Sequence, residues 1–268
     1  MQGMVITSPR NPIVKLVKAL HLKKYRKSYG MYFVEGIKIV NEAIQEGAPI
    51  EKLIFSEDFS IDNLAASVNQ FDSVYVSNGI FKQISDVETP QGVIAIIKKH
   101  SKPLLNILQK PSYFLVILDR VQDPGNVGSI IRTLDAAGGD GVVLLEGSAD
   151  PYNPKTLRST MGSIFRMPTF EISEPESFIK QLLSTGTHLV ASCLDGDNLF
   201  CWDGDNYKKI ALVIGNESKG IREEIINLAS SRVTIPMVGR AESLNASVAA
   251  GILVYQIMDR AGKLNSNL

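Results

Sequence analysis

The sequence predicts an α/β protein in which a small amino-terminal α/β domain precedes a larger domain built on a mostly parallel sheet. Three observations predict it. Short apolar runs alternate with helix-period patterns along most of the chain. Beyond residue 112 those runs are apolar throughout, as in strands buried on both faces. Between them, His100 to Ser112 carries two prolines and several polar breaks, which marks a boundary or an interdomain helix. The expected division is residues 1–100, a linker over 101–112, and a second domain over 113–268.

A length of 268 residues with 44% apolar content supports one large domain or two ordinary ones. No run is long enough to span a membrane, and the start MQGMVITSPR has no signal-type hydrophobic stretch. Cys193 and Cys201 lack metal-site spacing, and His21, His100 and His188 are scattered. That argues against zinc, any other metal centre or a disulfide framework, and the chain reads as cytoplasmic. The 28 basic and 28 acidic residues cancel, so bulk charge does not point to nucleic acid. Their distribution does. Met1 to Val34 holds no acidic residue but contains Arg10, Lys23, Lys24, Arg26 and Lys27, interleaved with Tyr25, Tyr29 and Tyr32. Cations beside aromatics suit RNA phosphates and bases, and these five are the candidate RNA-binding residues. A solvated amphipathic helix accounts equally well for this segment, since Ile13, Leu16, Val17 and Leu20 give it an apolar face.

In order, MYFVEGIKIVNEAI reads as a strand leading into a helix, IEKLIFSED as a strand, Asp62 to Asn69 as a helix, SVYVS as a strand and QGVIAIIKKH as a closing strand. In the second domain strands are expected at Tyr113 to Leu118, Gly141 to Leu145, His188 to Ser192, Ile210 to Ile214 and Arg232 to Pro236. Helices are expected at Val127 to Ala137, Asn153 to Ser159, Pro175 to Thr185, Arg222 to Leu228 and Asn245 to Arg260. No GxGxxG follows a strand, GNESKGI fails the P-loop spacing, and HExxH and GxSxG are absent.

Three stretches share one design, a strand ending in a glycine-bearing loop with polar side chains: DPGNVGSIIRT from Asp123, VIGNESKG from Val213, and IPMVGRAESLNASVAAG from Ile235. Strand ends in α/β units are where ligands bind, because the first amides of the following helix are unpaired there. Singly, each stretch is equally an ordinary turn, with Asn126 a plain helix cap and Arg132 a solvated helix residue.

Taken together and in this order, the three motifs resemble the SpoU, or TrmH-type, RNA ribose 2'-O-methyltransferases of the SPOUT superfamily. The resemblance covers Tyr113 to Arg260, and more weakly YFVEGIKIVNEAI, which looks like the ribosomal-protein-like substrate domain of such enzymes. It implies a carboxyl-terminal trefoil knot, bound S-adenosylmethionine and a homodimer formed through the knotted domain. It also implies a cofactor pocket at Leu194, Gly215, Ile235 and Leu244, and a catalytic group of Asn126, Arg132, Glu217, Ser243 and Asn245. In that reading Gly215 admits the cofactor for want of a Cβ, while Asn126 and Glu217 orient Arg132. A guanidinium remains protonated and offers no acceptor, so Arg132 is expected to grip a phosphate while the hydroxyl proton leaves elsewhere. The expected substrate is large-subunit rRNA; transfer RNA, or a knotted RNA-binding protein without catalysis, are the alternatives.

Overall fold

The computed structural model describes residues 5–99, 103–203 and 207–264. Compactness divides the chain into two units, Met1–His100 with Tyr152–Phe165 and Ser101–Pro151 with Arg166–Leu268.

The first unit opens with α1 (Pro12–Leu20), which starts where the Asn11 side chain accepts the Ile13 amide and which buries Val14, Val17 and Leu20. Then follow α2 (Lys23–Tyr29), β1 (Met31–Glu35), α3 (Ile37–Gln45), β2 (Ile50–Ser56), β3 (Ser73–Val76), α4 (Asn78–Ile84) and β4 (Val93–Lys98). The sheet order is β1-β4-β2-β3, with β4 antiparallel to both neighbours and β2 parallel to β3. The helix expected at Asp62 to Asn69 is instead two short 3-10 turns, Ile61–Asn63 and Ala66–Gln70. Ser60 bonds Asp62, and Asn63 bonds back to the Ser60 carbonyl, so local side chains compete with the helical ladder. Helix α4 is additional to the expected elements; Ile80, Phe81 and Ile84 bury its inner face.

The second unit begins with α5 (Leu104–Leu108), β5 (Tyr113–Leu118), α6 (Pro124–Ala137) and β6 (Gly141–Leu145). After α7 (Pro154–Thr160) it resumes with β7 (Thr169–Ile172), α8 (Pro175–Ser184), β8 (His188–Asn198), β9 (Lys209–Ile214), α9 (Glu223–Ile226), β10 (Ser231–Thr234) and α10 (Ala246–Arg260). Every pairing in the sheet, ordered β10-β8-β9-β5-β6-β7, is parallel. Its core includes Leu115, Ile117, Val143, Ala191, Ala211 and Val213.

The expected boundary or interdomain helix is present as α5, whose Ile107 and Leu108 join the second unit's core. The division departs from the expected one at another place. The segment carrying α7 belongs to the first unit: the Tyr152 and Tyr32 rings lie 4.7 Å apart, Lys99 sits 4.2 Å over the Tyr152 ring, and Arg158 pairs with Asp86 at 2.7 Å. Strand β7, too short and too close to Pro168 to stand out in the sequence, is also additional.

Candidate active site

Adjacent parallel strands bring the first two motifs together. In the β5–β9 register Leu118 faces Ile214, and the next amide, Asp119, donates to the Ile214 carbonyl at 2.8 Å. Both loops therefore leave the sheet side by side. Asp123 caps α6 by accepting the Asn126 amide at 2.9 Å, with Pro124 supplying the first helical position. Asn245 caps α10 in the same way, accepting from the Ser247 amide at 2.9 Å and its hydroxyl at 2.6 Å.

Asn126 joins all three motifs. Its Nδ2 donates to Glu217 Oε1 at 2.7 Å, and its Oδ1 accepts from Asn245 Nδ2 at 3.0 Å. Both faces of the amide are thus engaged. Arg132 lies outside this network, exposed on α6 and without a hydrogen bond or ion pair to any described residue. Asn126 and Glu217 hold each other and do not orient the arginine.

Beside this network is a cleft of about 400 Å³, lined among others by Leu194, Gly215, Glu217, Ile235, Ser243 and Leu244. One wall comes from β8, whose pairing with β10 jumps from Ala191↔Arg232 to Asp197↔Val233, so that Ser192 to Gly196 fold out of the ladder. The sequence pattern ended that strand at Ser192 and hid its continuation. Leu194, on the excursion, is 79% exposed, an apolar group left facing the cleft. Cys193 lines it too, and burial followed by the Asp195 charge pushes its thiol above the usual range, partly opposed by Arg232.

The opposite wall is a tight turn in which Asn216 and Gly220 exchange backbone hydrogen bonds of 3.0 and 2.9 Å. A Cβ on Gly215 would stand 2.4 Å from Gly220 C and from Ile221 N. Glycine is therefore required by closure of the protein's own loop.

Sequence reasoning missed the group that anchors this wall. Asp119 is fully buried, and its Oδ2 accepts the Arg222 amide at 2.7 Å. Its Oδ1 lies 3.4 Å from Arg222 Nε and 3.5 Å from Arg120 Nε, within ion-pair reach but forming no hydrogen bond. Asn216 Nδ2 donates to the Arg120 carbonyl at 2.9 Å, across a residue held at φ 58°. The available signal was an acidic residue directly following six buried strand residues, where a charge persists only with partners.

The chain is similar to known proteins over nearly its whole length. The SpoU rRNA Methylase family profile matches residues 113–255, more than half of the chain. The chain belongs to the SpoU rRNA Methylase family. Ahead of that SpoU region, residues 11–95 match the MRM3-like substrate binding domain. Among SpoU relatives, the 23S rRNA (guanosine(2553)-2'-O)-methyltransferase RlmP of Bacillus subtilis is 33% identical over 259 residues, covering 94% of this chain and 98% of the relative. An AdoMet-bound rRNA methyltransferase from Sinorhizobium meliloti superposes with a TM-score of 0.84 at 33% identity, covering 96% of this chain and 97% of that one. The SpoU methyltransferase AviRb from Streptomyces viridochromogenes, in complex with AdoMet, gives 0.81 at 28% identity over 93% and 98% of the two chains.

In the SpoU region, then, Leu194, Gly215, Ile235, Leu244, Glu217 and Ser243 share one cleft, while Asn126 and Asn245 reach it through Glu217. In the first unit Arg10, Lys23, Lys24 and Lys27 are exposed. Arg26 is not available to RNA. It is 2% exposed, and its Nη1 donates to the Leu20 and His21 carbonyls at 2.7 and 2.8 Å, satisfying the end of α1.

Proposed function

We propose that this chain transfers a methyl group from S-adenosylmethionine to a ribose 2'-hydroxyl of large-subunit rRNA. The observation that carries this is the meeting of three sequence-distant motifs, through Asn126, Glu217 and Asn245, at the edge of one cleft. The names of the relatives support rRNA over transfer RNA as the substrate.

The cleft fits the cofactor. Its volume falls in the range of small-ligand sites, roughly 300–1,000 Å³. Leu194, Ile235 and Leu244 offer apolar cover for a flat heterocycle, and Asp195, Thr234 and Ser243 offer polar partners for a ribose and an amino-acid tail. When bound, S-adenosylmethionine supplies a methyl carbon already activated by a positive sulfur.

The rest falls to the chain's own residues. Arg132, unpaired and exposed on α6, grips the phosphate beside the target ribose with its forked donors. Ser243 and Asn245 position the ribose, a task of orientation. Glu217 keeps Oε2 outside its bond to Asn126 and receives the 2'-hydroxyl proton there, directly or through water. A carboxyl-terminal trefoil knot, a homodimer formed through the knotted domains and a cytoplasmic location belong to the same proposal. Among the described residues no helix is long and apolar enough to cross a membrane.

The test is transfer of labelled methyl to naked rRNA and transfer RNA from cells lacking the protein, followed by alkaline hydrolysis. Label in an alkali-resistant dinucleotide of rRNA is expected, because a blocked 2'-oxygen cannot cleave the next phosphodiester. Label confined to transfer RNA overturns the substrate, and no label in either overturns the activity.

A further inference from the structure

We infer that α2 is a stacking platform for unpaired bases of the RNA substrate, an inference that rests on the RNA methyltransferase reading above. Seven residues form too short a helix to hold itself in water. Here α2 is fixed from within: buried Arg26 ties it to the last carbonyls of α1, and Gly30 ends it in the left-handed conformation.

With Arg26 turned inward, the tyrosines on either side of it in sequence are left outside. Tyr25 and Tyr29, one helical turn apart, are 36% and 50% exposed, and their rings lie 6.1 Å apart at an interplanar angle of 18°. Leu22 beside them is also exposed, and Lys24 Nζ sits 5.8 Å from the Tyr25 centroid. By contrast the third tyrosine of the segment, Tyr32, is buried against Tyr152. Two near-parallel exposed rings on a rigid helix lose little entropy when a base stacks on them.

Charge identifies the occupant. From residue 5 to residue 34 the chain carries no carboxylate side chain, while Arg10, Lys15, Lys18, Lys23, Lys24 and Lys27 are all exposed. A partner presenting flat π-faces on a polyanionic backbone complements both features, and an unpaired RNA strand is such a partner. A duplex keeps its bases stacked on one another and cannot use the rings, so the platform selects loops and ends.

The test uses the full chain and direct binding, read by anisotropy, of a labelled oligouridylate and of a duplex RNA of equal length. Tyr25→Ala with Tyr29→Ala is expected to weaken oligouridylate binding about five- to hundredfold, as loss of one or two stacked bases does. Duplex binding and S-adenosylhomocysteine binding are expected to be unchanged. Tyr25→Phe with Tyr29→Phe keeps the π-faces and should stay within about twofold. Lys24→Ala with Lys27→Ala should flatten the salt dependence for both RNAs. Wild-type affinity in the alanine pair overturns the inference, as does equal damage by the phenylalanine pair. A face made for a protein partner would leave RNA binding unchanged in every variant. Because binding is read without turnover, the two claims fail separately. A chain that loses oligouridylate affinity in the alanine pair but never transfers methyl refutes the activity alone, whereas one that methylates rRNA with unaltered KM in that pair refutes the platform alone.

Discussion

Replacing Gly215 by alanine separates two explanations of why glycine stands at the mouth of the cleft. The added Cβ would lie 2.4 Å from Gly220 C and Ile221 N and 2.7 Å from Gly220 O, against an ordinary contact of 3.4–4 Å. All three are backbone atoms, so relief requires the turn itself to move by about 1 Å, at an overpacking cost of ~1–3 kcal/mol. That movement opens the paired hydrogen bonds between Asn216 and Gly220, worth ~0.5–1.5 kcal/mol each. Together they amount to about 2–6 kcal/mol, present whether or not a ligand is bound. We therefore expect Gly215→Ala to lower the melting temperature of the ligand-free protein by several degrees and to weaken S-adenosylhomocysteine binding in calorimetry by at least about tenfold. Gly220→Ala is the control. Gly220 has φ +64° but open space around its missing Cβ, so alanine there costs only the left-handed backbone penalty of about 1–2 kcal/mol. If the ligand-free Gly215→Ala protein melts with the wild type and only its ligand affinity falls, the requirement comes from ligand approach and the loop-closure argument is wrong.

Asn126→Asp places a second carboxylate 2.7 Å from Glu217 Oε1 while keeping an acceptor for Asn245, so methyl transfer should fall further than in Asn126→Ala and recover partly as pH is lowered; an alanine variant that is the worse of the two, at every pH, contradicts this. His188, stacked on Tyr207 at 3.7 Å and bonded to Ser231, has its pKa lowered by burial, so the unfolded chain binds its proton first. Its contribution to stability is therefore fully present above the unfolded value of about 6.5 and declines as pH falls from there toward the lower folded value. Denaturant titrations from pH 7.5 to 5 should show that slope reduced in His188→Gln, and an identical slope would exclude His188 as its source. Exposed Cys201 should be alkylated by iodoacetamide before Cys193, whose thiol is partly buried and held above its usual range. S-adenosylhomocysteine should protect Cys193 alone, as peptide mass spectrometry would show; equal protection of both cysteines would place the ligand elsewhere.

Much of the fold was legible because its signals are local. The runs at Tyr113–Leu118 and Lys209–Ile214 announce strands by composition, and Asp123-Pro124 and Asn245 announce helix starts by capping chemistry. Local patterns also misled. The Ser60–Asn63 side chains broke an expected helix, and the excursion at Ser192–Gly196 concealed the far half of β8. The membership of residues 152–165 in the first unit had no sequence signal, since it depends on Tyr32, Asp86 and Lys99.

By itself the sequence determined the alternation of strands and helices, the three loops at strand ends, six of the cleft-lining residues through the family resemblance, and the acid-free amino-terminal arm. Tertiary structure alone decided how those residues are used. It paired Asn126 with Glu217, 91 positions away, and with Asn245, 119 positions away, leaving Arg132 free. It turned Arg26 inward, away from any RNA, and made Gly215 a requirement of loop closure. The physical reason is common to all of these. Caps, turns and periodicity are settled within a few residues, whereas the partner of a polar side chain, and the atom that would meet a missing Cβ, depend on which distant strands the sheet places side by side.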